Sequence, residues 1–195
     1  QAAPAVRSAL SEEFGFPVGT DSESKMYAAM KALGFDEIAD VNWGADLTIM
    51  EEGTEFMSRL KNNDKLPMFT SCCPGWIRYI EQYEEEYIPH LSSCKSPHQM
   101  SGAMVKHYWA KKLGVEPESV SVISIMPCIA KKYECKRPEM EVDGLRDVDY
   151  VLTTREFARM IKRQGIDYQN LKEFKPEGEL SKYTGAGTIF GVTGG

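Results

Sequence analysis

A chain of 195 residues, 42% apolar and with a formal net charge of −6, carries enough hydrophobic material for one sizeable core and little attraction for a phosphate backbone. It has no basic stripe with interleaved aromatics, which argues against a nucleic-acid partner, and no apolar run approaches the ~18–20 residues that span a bilayer. Its five cysteines, Cys72, Cys73, Cys94, Cys128 and Cys135, make no small-domain disulfide framework and read as reduced thiols or metal ligands in a reducing compartment, the cytoplasm, with the periplasm left open.

Helix and strand signals alternate in the manner of an α/β domain with a parallel or mixed sheet and flanking helices. Residues 4–14 read as a helix. Thr20 with Glu23 spells a capping box ahead of the apolar positions Met26, Met30 and Leu33, and Gly34 ends that helix. A short strand is predicted over 35–41, a helix over 46–60 and a strand over 66–70. Pro74 stands where a first helical turn tolerates it. Ser96, Pro97 and Gln99 open a helix that ends at Gly114, and 120–126 and 149–152 read as strands. Thr153 with Glu156 caps a helix bearing Phe157, Met160 and Ile161, closed by Gly165. The stretch 172–183, with Pro, Gly and charges, is the longest predicted loop.

Two strings carry chemistry. Residues 70–76 read Thr-Ser-Cys-Cys-Pro-Gly-Trp, and 126–134 read Met-Pro-Cys-Ile-Ala-Lys-Lys-Tyr-Glu; each follows a strand-like apolar run. A thiol delivered at a strand end, beside the unpaired amides and positive end of a following helix, is driven toward the thiolate that binds metal. Cys73 and Cys128 are therefore candidate ligands converging at one end of a sheet. Neighbouring residues on a bending strand end point in different directions, so Cys72 does not readily join Cys73 on one metal and remains a titratable thiol. Glu52, Glu55 and Arg59, three and four apart, share one helical face, and spacing alone suits a solvated salt-bridge stripe. Lys131, three residues after Cys128, lies on the same side if the segment is helical; the plain alternative is a surface lysine paired with Glu134. His98 beside a helix start reads as a capping or surface residue, and Cys94 and Cys135 as incidental thiols. Glycines 185, 187, 191, 194 and 195 do not fit G-x-G-x-x-G and suit a close backbone approach to a metal cluster instead.

Both strings, in this order, resemble the first two of three cluster-binding motifs in the catalytic domain of FeFe hydrogenases. The resemblance continues through Ala-Asp-Leu-Thr-Ile-Met-Glu-Glu (45–52), Leu-Ser-Ser-Cys-Lys-Ser-Pro-His-Gln (91–99), Asp-Gly-Leu-Arg-Asp-Val-Asp (143–149) and Gly-Ala-Gly-Thr-Ile-Phe-Gly-Val-Thr-Gly-Gly (185–195). The family's third motif, which supplies two more cysteine ligands, lies beyond such a Gly-Gly. Residues 1–195 are accordingly read as the first part of a two-lobed cluster domain, completed by the remainder of that domain. The resemblance implies a 4Fe-4S cluster held in part by Cys73 and Cys128. It is bonded to a di-iron unit with carbon monoxide, cyanide and bridging dithiolate ligands. Cys72 matches the terminal proton donor, Glu52 and Glu55 the relay carboxylates, Ser92 the hydroxyl between them, and Arg59 the outer end. Lys131 would donate to an iron-bound cyanide, and Ala3, Pro4, Pro97, Met126 and Phe190 would wall the di-iron pocket. Ala5 and His98 depart from the pattern, standing where some members carry a serine and where a glutamine is common. The implied activity is interconversion of hydrogen with protons and electrons, exchanged with ferredoxin or another low-potential carrier. A hydrogen-sensing hydrogenase and the eukaryotic iron-sulfur assembly factor that shares the fold are the other readings. The full set of Cys72, Glu52, Glu55 and Ser92 favours the enzyme.

Overall fold

The computed structural model describes residues 1–187. At its centre, β1 (Ile123–Met126) lies parallel to β4 (Tyr150–Thr153), with Ile123 opposite Tyr150 and Met126 opposite Thr153. The first residues extend this sheet: Ala2 bridges in parallel to Ile125 on one side and to Asp40 on the other. Ala3 N donates to Ile125 O at 3.0 Å, and Val41 N to Ala2 O at 3.3 Å. The sheet is parallel and covered by helices, as the alternating pattern implies. Helices α1 (Val6–Glu12), α2 (Glu23–Ala32) and α8 (Thr154–Arg163) enclose a core of Leu10, Met26, Ile125, Phe157, Ile161 and Tyr168. Each such aliphatic or aromatic side chain contributes about 1.5–3 kcal/mol on burial.

The other half is built on α3 (Val41–Asn62). Asp40 caps it, accepting from Asn42 N at 2.8 Å, and Asn63 ends it in the left-handed region with φ 52°. Across α3 lies α5 (Pro97–Met104), so close that a Cβ on Gly44 would sit 2.1 Å from Ser101 Oγ and 2.3 Å from Pro97 O. On the opposite side, a Cβ on Gly102 would meet Asp147 O at 2.1 Å. This helix continues through a π-turn (Val105–Trp109) into α6 (Ala110–Leu113), and Gly114 stops it at φ +70°. The π-turn points Lys106 inward, where Nζ donates to Asp149 Oδ1 at 2.8 Å while Oδ2 accepts from Val122 N at 2.7 Å. Two short units complete the frame, α4 (Pro74–Tyr83) and α7 (Lys131–Glu134), joined by Arg137, whose fork meets Glu81 at 2.5 and 3.1 Å.

Several sequence expectations are corrected. Thr20 does not cap α2: its hydroxyl turns back to Pro17 O, and Ser22, buried and bonded to Arg7 O at 2.8 Å, begins the helix. Glu23 N is taken instead by Asp21 Oδ1 at 2.9 Å. Residues 35–41 do not make a strand, because Asp40 leaves the sheet at once to cap α3; only its bridge to Ala2 remains. In 66–70 only Phe69 pairs, with Leu91, since Pro67 has no amide for a ladder. An antiparallel hairpin, β2 (Glu141–Val142) with β3 (Leu145–Arg146), turns on Asp143-Gly144 at φ 52° and 79°. That Asp-Gly pair was the available signal.

A candidate metal centre and proton relay

Cys73 is the N-cap of α4. Its backbone is extended, and its Sγ accepts from Trp76 N at 3.5 Å, so the sulfur faces the first-turn amides, with Pro74 at the helix start needing no partner. Cys128 lies two residues beyond the end of β1, in the turn leading to α7. Both thiols are exposed, and α4 packs on α7. Among the described residues no group of three or more His, Cys, Asp or Glu side chains is arranged to hold a metal. Cys73 at a helix N-cap and Cys128 in an exposed turn offer two of the four thiolates that a 4Fe-4S cluster takes.

Lys131 ties the second motif to the first. Its Nζ donates to Cys72 O at 2.6 Å and to Glu134 Oε2 at 3.0 Å. Its side chain is only 14% exposed, so the pairing with Glu134 is real but the lysine is not a surface residue. Glu134 is itself buried, and its Oε2 also receives His98 Nε2 at 2.5 Å. Burial alone would push the Glu134 carboxyl up; His98 and the Lys131 ammonium outweigh it and hold it below the usual range. His98 is neither a cap nor a surface residue. The tight packing of α5 carries it inward to Glu134 and to Ser124 Oγ at 3.2 Å, leaving it 1% exposed.

The glutamate stripe is not solvated either. Arg59 donates to Glu55 Oε1 from Nη2 at 2.6 Å and from Nε at 3.1 Å, and to Leu91 O at 2.6 Å. Glu55 Oε2 accepts from Ser92 Oγ at 2.9 Å and from Ser93 N at 3.0 Å. One turn earlier, Glu52 is buried with Oε1 lacking a hydrogen-bond partner, whereas its neighbour Glu51 is exposed. Burial raises the affinity of Glu52 for a proton, against the smaller opposing influence of the Ser92 hydroxyl and the Ser71 amide nearby. For Glu55 burial acts in the same sense, but Ser92, Arg59 and Ser93 prevail and lower it. Burial, opposed by Lys131 and assisted by Glu52, pushes the Cys72 thiol up. The Ser92 oxygen accepts from Cys94 N at 3.1 Å, which leaves one lone pair and one proton. It can thus take a proton from one side while releasing one to the other.

Of the residues expected to wall a pocket, Ala3 and Met126 are buried side by side along the sheet, and Pro4 and Pro97 are partly buried at the starts of α1 and α5. Phe190 lies outside the described residues, as do glycines 191, 194 and 195. Gly187 closely approaches α3 rather than the cysteine motifs: its amide donates to Asp46 Oδ1 at 2.9 Å, and a Cβ there would meet Ala45 Cβ at 2.7 Å. Cys94 is not incidental in position. Its Sγ stands 3.9 Å from Glu55 Oε2, and the Ser-Ser-Cys run at 92–94 was the signal for a polar turn against the glutamates. Cys135 is a packing thiol of the core. A cavity of about 380 Å³ opens between the relay and the buried acid, lined among others by Ser92, Ser93, Cys94, Glu134 and Arg137.

The family described as iron only hydrogenase large subunit, C-terminal domain, matches residues 1–195. The periplasmic Fe hydrogenase large subunit of Nitratidesulfovibrio vulgaris is 53% identical over 195 residues, covering 99% of this chain and 46% of that protein. The cytosolic Fe-S cluster assembly factor narfl of Xenopus tropicalis is more distant, 37% identical over 77% of this chain and 33% of its own length. Among solved structures, the apo FeFe-hydrogenase HydA1 from Chlamydomonas reinhardtii superposes with a TM-score of 0.87 at 44% identity, over 95% of this chain and 47% of that one. The chain thus spans between a third and a half of each of these relatives, and it belongs to the iron-only hydrogenase large-subunit family, matching that family's C-terminal domain.

Proposed function

We propose that residues 1–195 are part of a hydrogenase that interconverts hydrogen with protons and electrons, and that Glu52, Ser92 and Glu55 carry protons between Cys72 and the surface at Arg59. One observation carries this reading: on a single helix face, the inner carboxyl is buried with a free oxygen while the outer is held ionised, and one hydroxyl stands at the outer one's oxygen. A pair of acids whose proton affinities are pushed apart is the arrangement that acid-base work requires. A non-catalytic assembly scaffold has no use for it.

When bound, the di-iron unit linked to the 4Fe-4S cluster supplies the open metal site and the electrons. Cys73 and Cys128 supply two sulfurs, and the remainder of the domain the other two. Cys72 holds a proton at Sγ beside them, Glu52 exchanges it at the free Oε1, and Ser92 passes it to Glu55 Oε2. Arg59 holds the outer carboxylate in place through its fork. Lys131 presents an ammonium to an anionic cyanide, and Ala3, Pro4, Pro97, Met126 and Phe190 exclude water. Electrons are exchanged with ferredoxin or a similar low-potential carrier.

Cys72→Ala in the full-length protein tests the reading. General acid-base groups contribute ~10²- to 10⁴-fold, so hydrogen evolution from a reduced mediator should fall by at least that much while the infrared carbonyl and cyanide bands persist. Near wild-type turnover with the bands intact would sink the relay; loss of the bands would make Cys72 a structural residue.

A further inference from the structure

A second buried polar chain runs from the sheet to the Cys-Cys turn, through Ser124, His98, Glu134 and Lys131. The Ser124 oxygen accepts from the Gln1 side-chain amide at 2.7 Å. An amide nitrogen only donates, so the serine's own proton is free to point at His98 Nδ1, 3.2 Å away. Nδ1 then accepts, the ring proton resides on Nε2, and that N–H meets Glu134 Oε2 at 2.5 Å. Burial, working against Glu134, lowers the proton affinity of the ring and keeps it neutral. The same Oε2 receives Lys131 Nζ. An ammonium has three donors, and here two are spent, on Glu134 Oε2 and on Cys72 O.

We propose that His98 is a positioning residue for Lys131: its Nε2–H fixes Glu134 Oε2, and Glu134 in turn fixes Nζ beneath the Cys72 carbonyl with its third N–H directed into the pocket. What that third donor meets rests on the hydrogenase reading; the anchoring does not. Glu134 needs such an anchor because it also lines the cavity shared with Arg137. Without the imidazole the carboxylate is free to rotate into that space and draw Lys131 with it. A misplacement of about 1 Å near reacting groups costs up to ~10²-fold in rate.

The test uses the full-length protein with two substitutions, His98→Leu, which deletes the donor, and His98→Gln, which retains an N–H of similar reach. In the cluster-loaded protein, His98→Leu should shift the infrared cyanide bands in the direction that Lys131→Met shifts them and lower turnover ten- to hundredfold, whereas His98→Gln should preserve both. A merely structural histidine would change the melting temperature and leave the bands alone. In cluster-free protein carrying ¹⁵N-histidine, the His98 ring should show a proton on Nε2, and Lys131→Met should shift that resonance. Wild-type bands and turnover in a loaded His98→Leu protein would overturn the proposal, as would a proton on Nδ1 or a ring signal indifferent to Lys131→Met. Absence of cyanide bands from the loaded wild type would instead refute the hydrogenase reading, and the cluster-free spectra would then decide the anchoring by themselves.

Discussion

Glu52 and Glu55 are chemically identical groups one helical turn apart, and their surroundings give them opposite tendencies. The folded-state pKa of Glu52 is raised, so its favourable contribution belongs to the protonated form: it is present below the ordinary carboxyl range and lost as pH rises through the raised value. Glu52→Gln, uncharged throughout, should therefore melt higher than the parent at pH 8 and match it near pH 4, although turnover falls by ~10²-fold. Coincident melting curves at both pH values would show that Glu52 is solvated. Glu51→Gln is the control, since an exposed side chain on another face should change stability by no more than about 0.5 kcal/mol and leave turnover intact. Glu156 has the reverse sign. Lys132, followed by the Thr153 amide and hydroxyl, lowers its pKa to about 2, so its contribution is present above the ordinary carboxyl range and lost as pH falls toward that value. Glu156→Gln should cost about 1 kcal/mol at pH 7, a typical cap, with the difference closing near pH 2 in denaturant titrations.

Among the elements, the crossing of α3 and α5 governs the site, because α3 bears the glutamates and α5 bears Pro97 and His98. Gly44 lets the two helices touch, and Gly44→Ala should cost about 1–3 kcal/mol while displacing Pro97, with turnover falling in step. A well-folded, fully active Gly44→Ala protein would mean that the helices separate without consequence. The helices themselves were legible in the sequence wherever their punctuation is local. Thr153 with Glu156 closes both halves of its capping box, and Pro74 and Gly114 sit at the helix start and stop that their chemistry predicts. What failed was set by distant partners. Ser22 displaced Thr20 at the start of α2 because α1 offered it Arg7 O, and 35–41 lost its strand because Asp40 was needed at α3. The site divides in the same way. Periodicity placed Glu52, Glu55 and Arg59 on one face, but only the turn at 91–94, contributed from over thirty residues away, buries them. His98 was misread for the same reason, since nothing near it in the chain announces Glu134.

At the scale of the molecule, the proposed 4Fe-4S cluster takes four thiolates, and the chain offers two of the proposed ligands, Cys73 and Cys128. Residues 1–195 produced alone should not retain a stable cubane after anaerobic reconstitution, as iron analysis and EPR would report, because open coordination sites expose the metal. A stoichiometric 4Fe-4S signal from this piece would relocate the ligands. The threading of the sheet has a further consequence, in time rather than in energy. Ala2 lies between Asp40 and Ile125, so a segment made early by the ribosome forms half of its pairing with residues made more than a hundred positions later. At ~5–20 residues per second, that delay is roughly 6–25 s, during which Ala2 has its Asp40 neighbour but the future β1 side is an open strand edge. Nascent chains arrested before residue 123 should therefore bind chaperones and digest readily within 1–40, and chains arrested well past 153, once β4 has emerged, should resist. Because Ala3 is also a proposed wall of the pocket, the birth of that proposed site coincides with the closure.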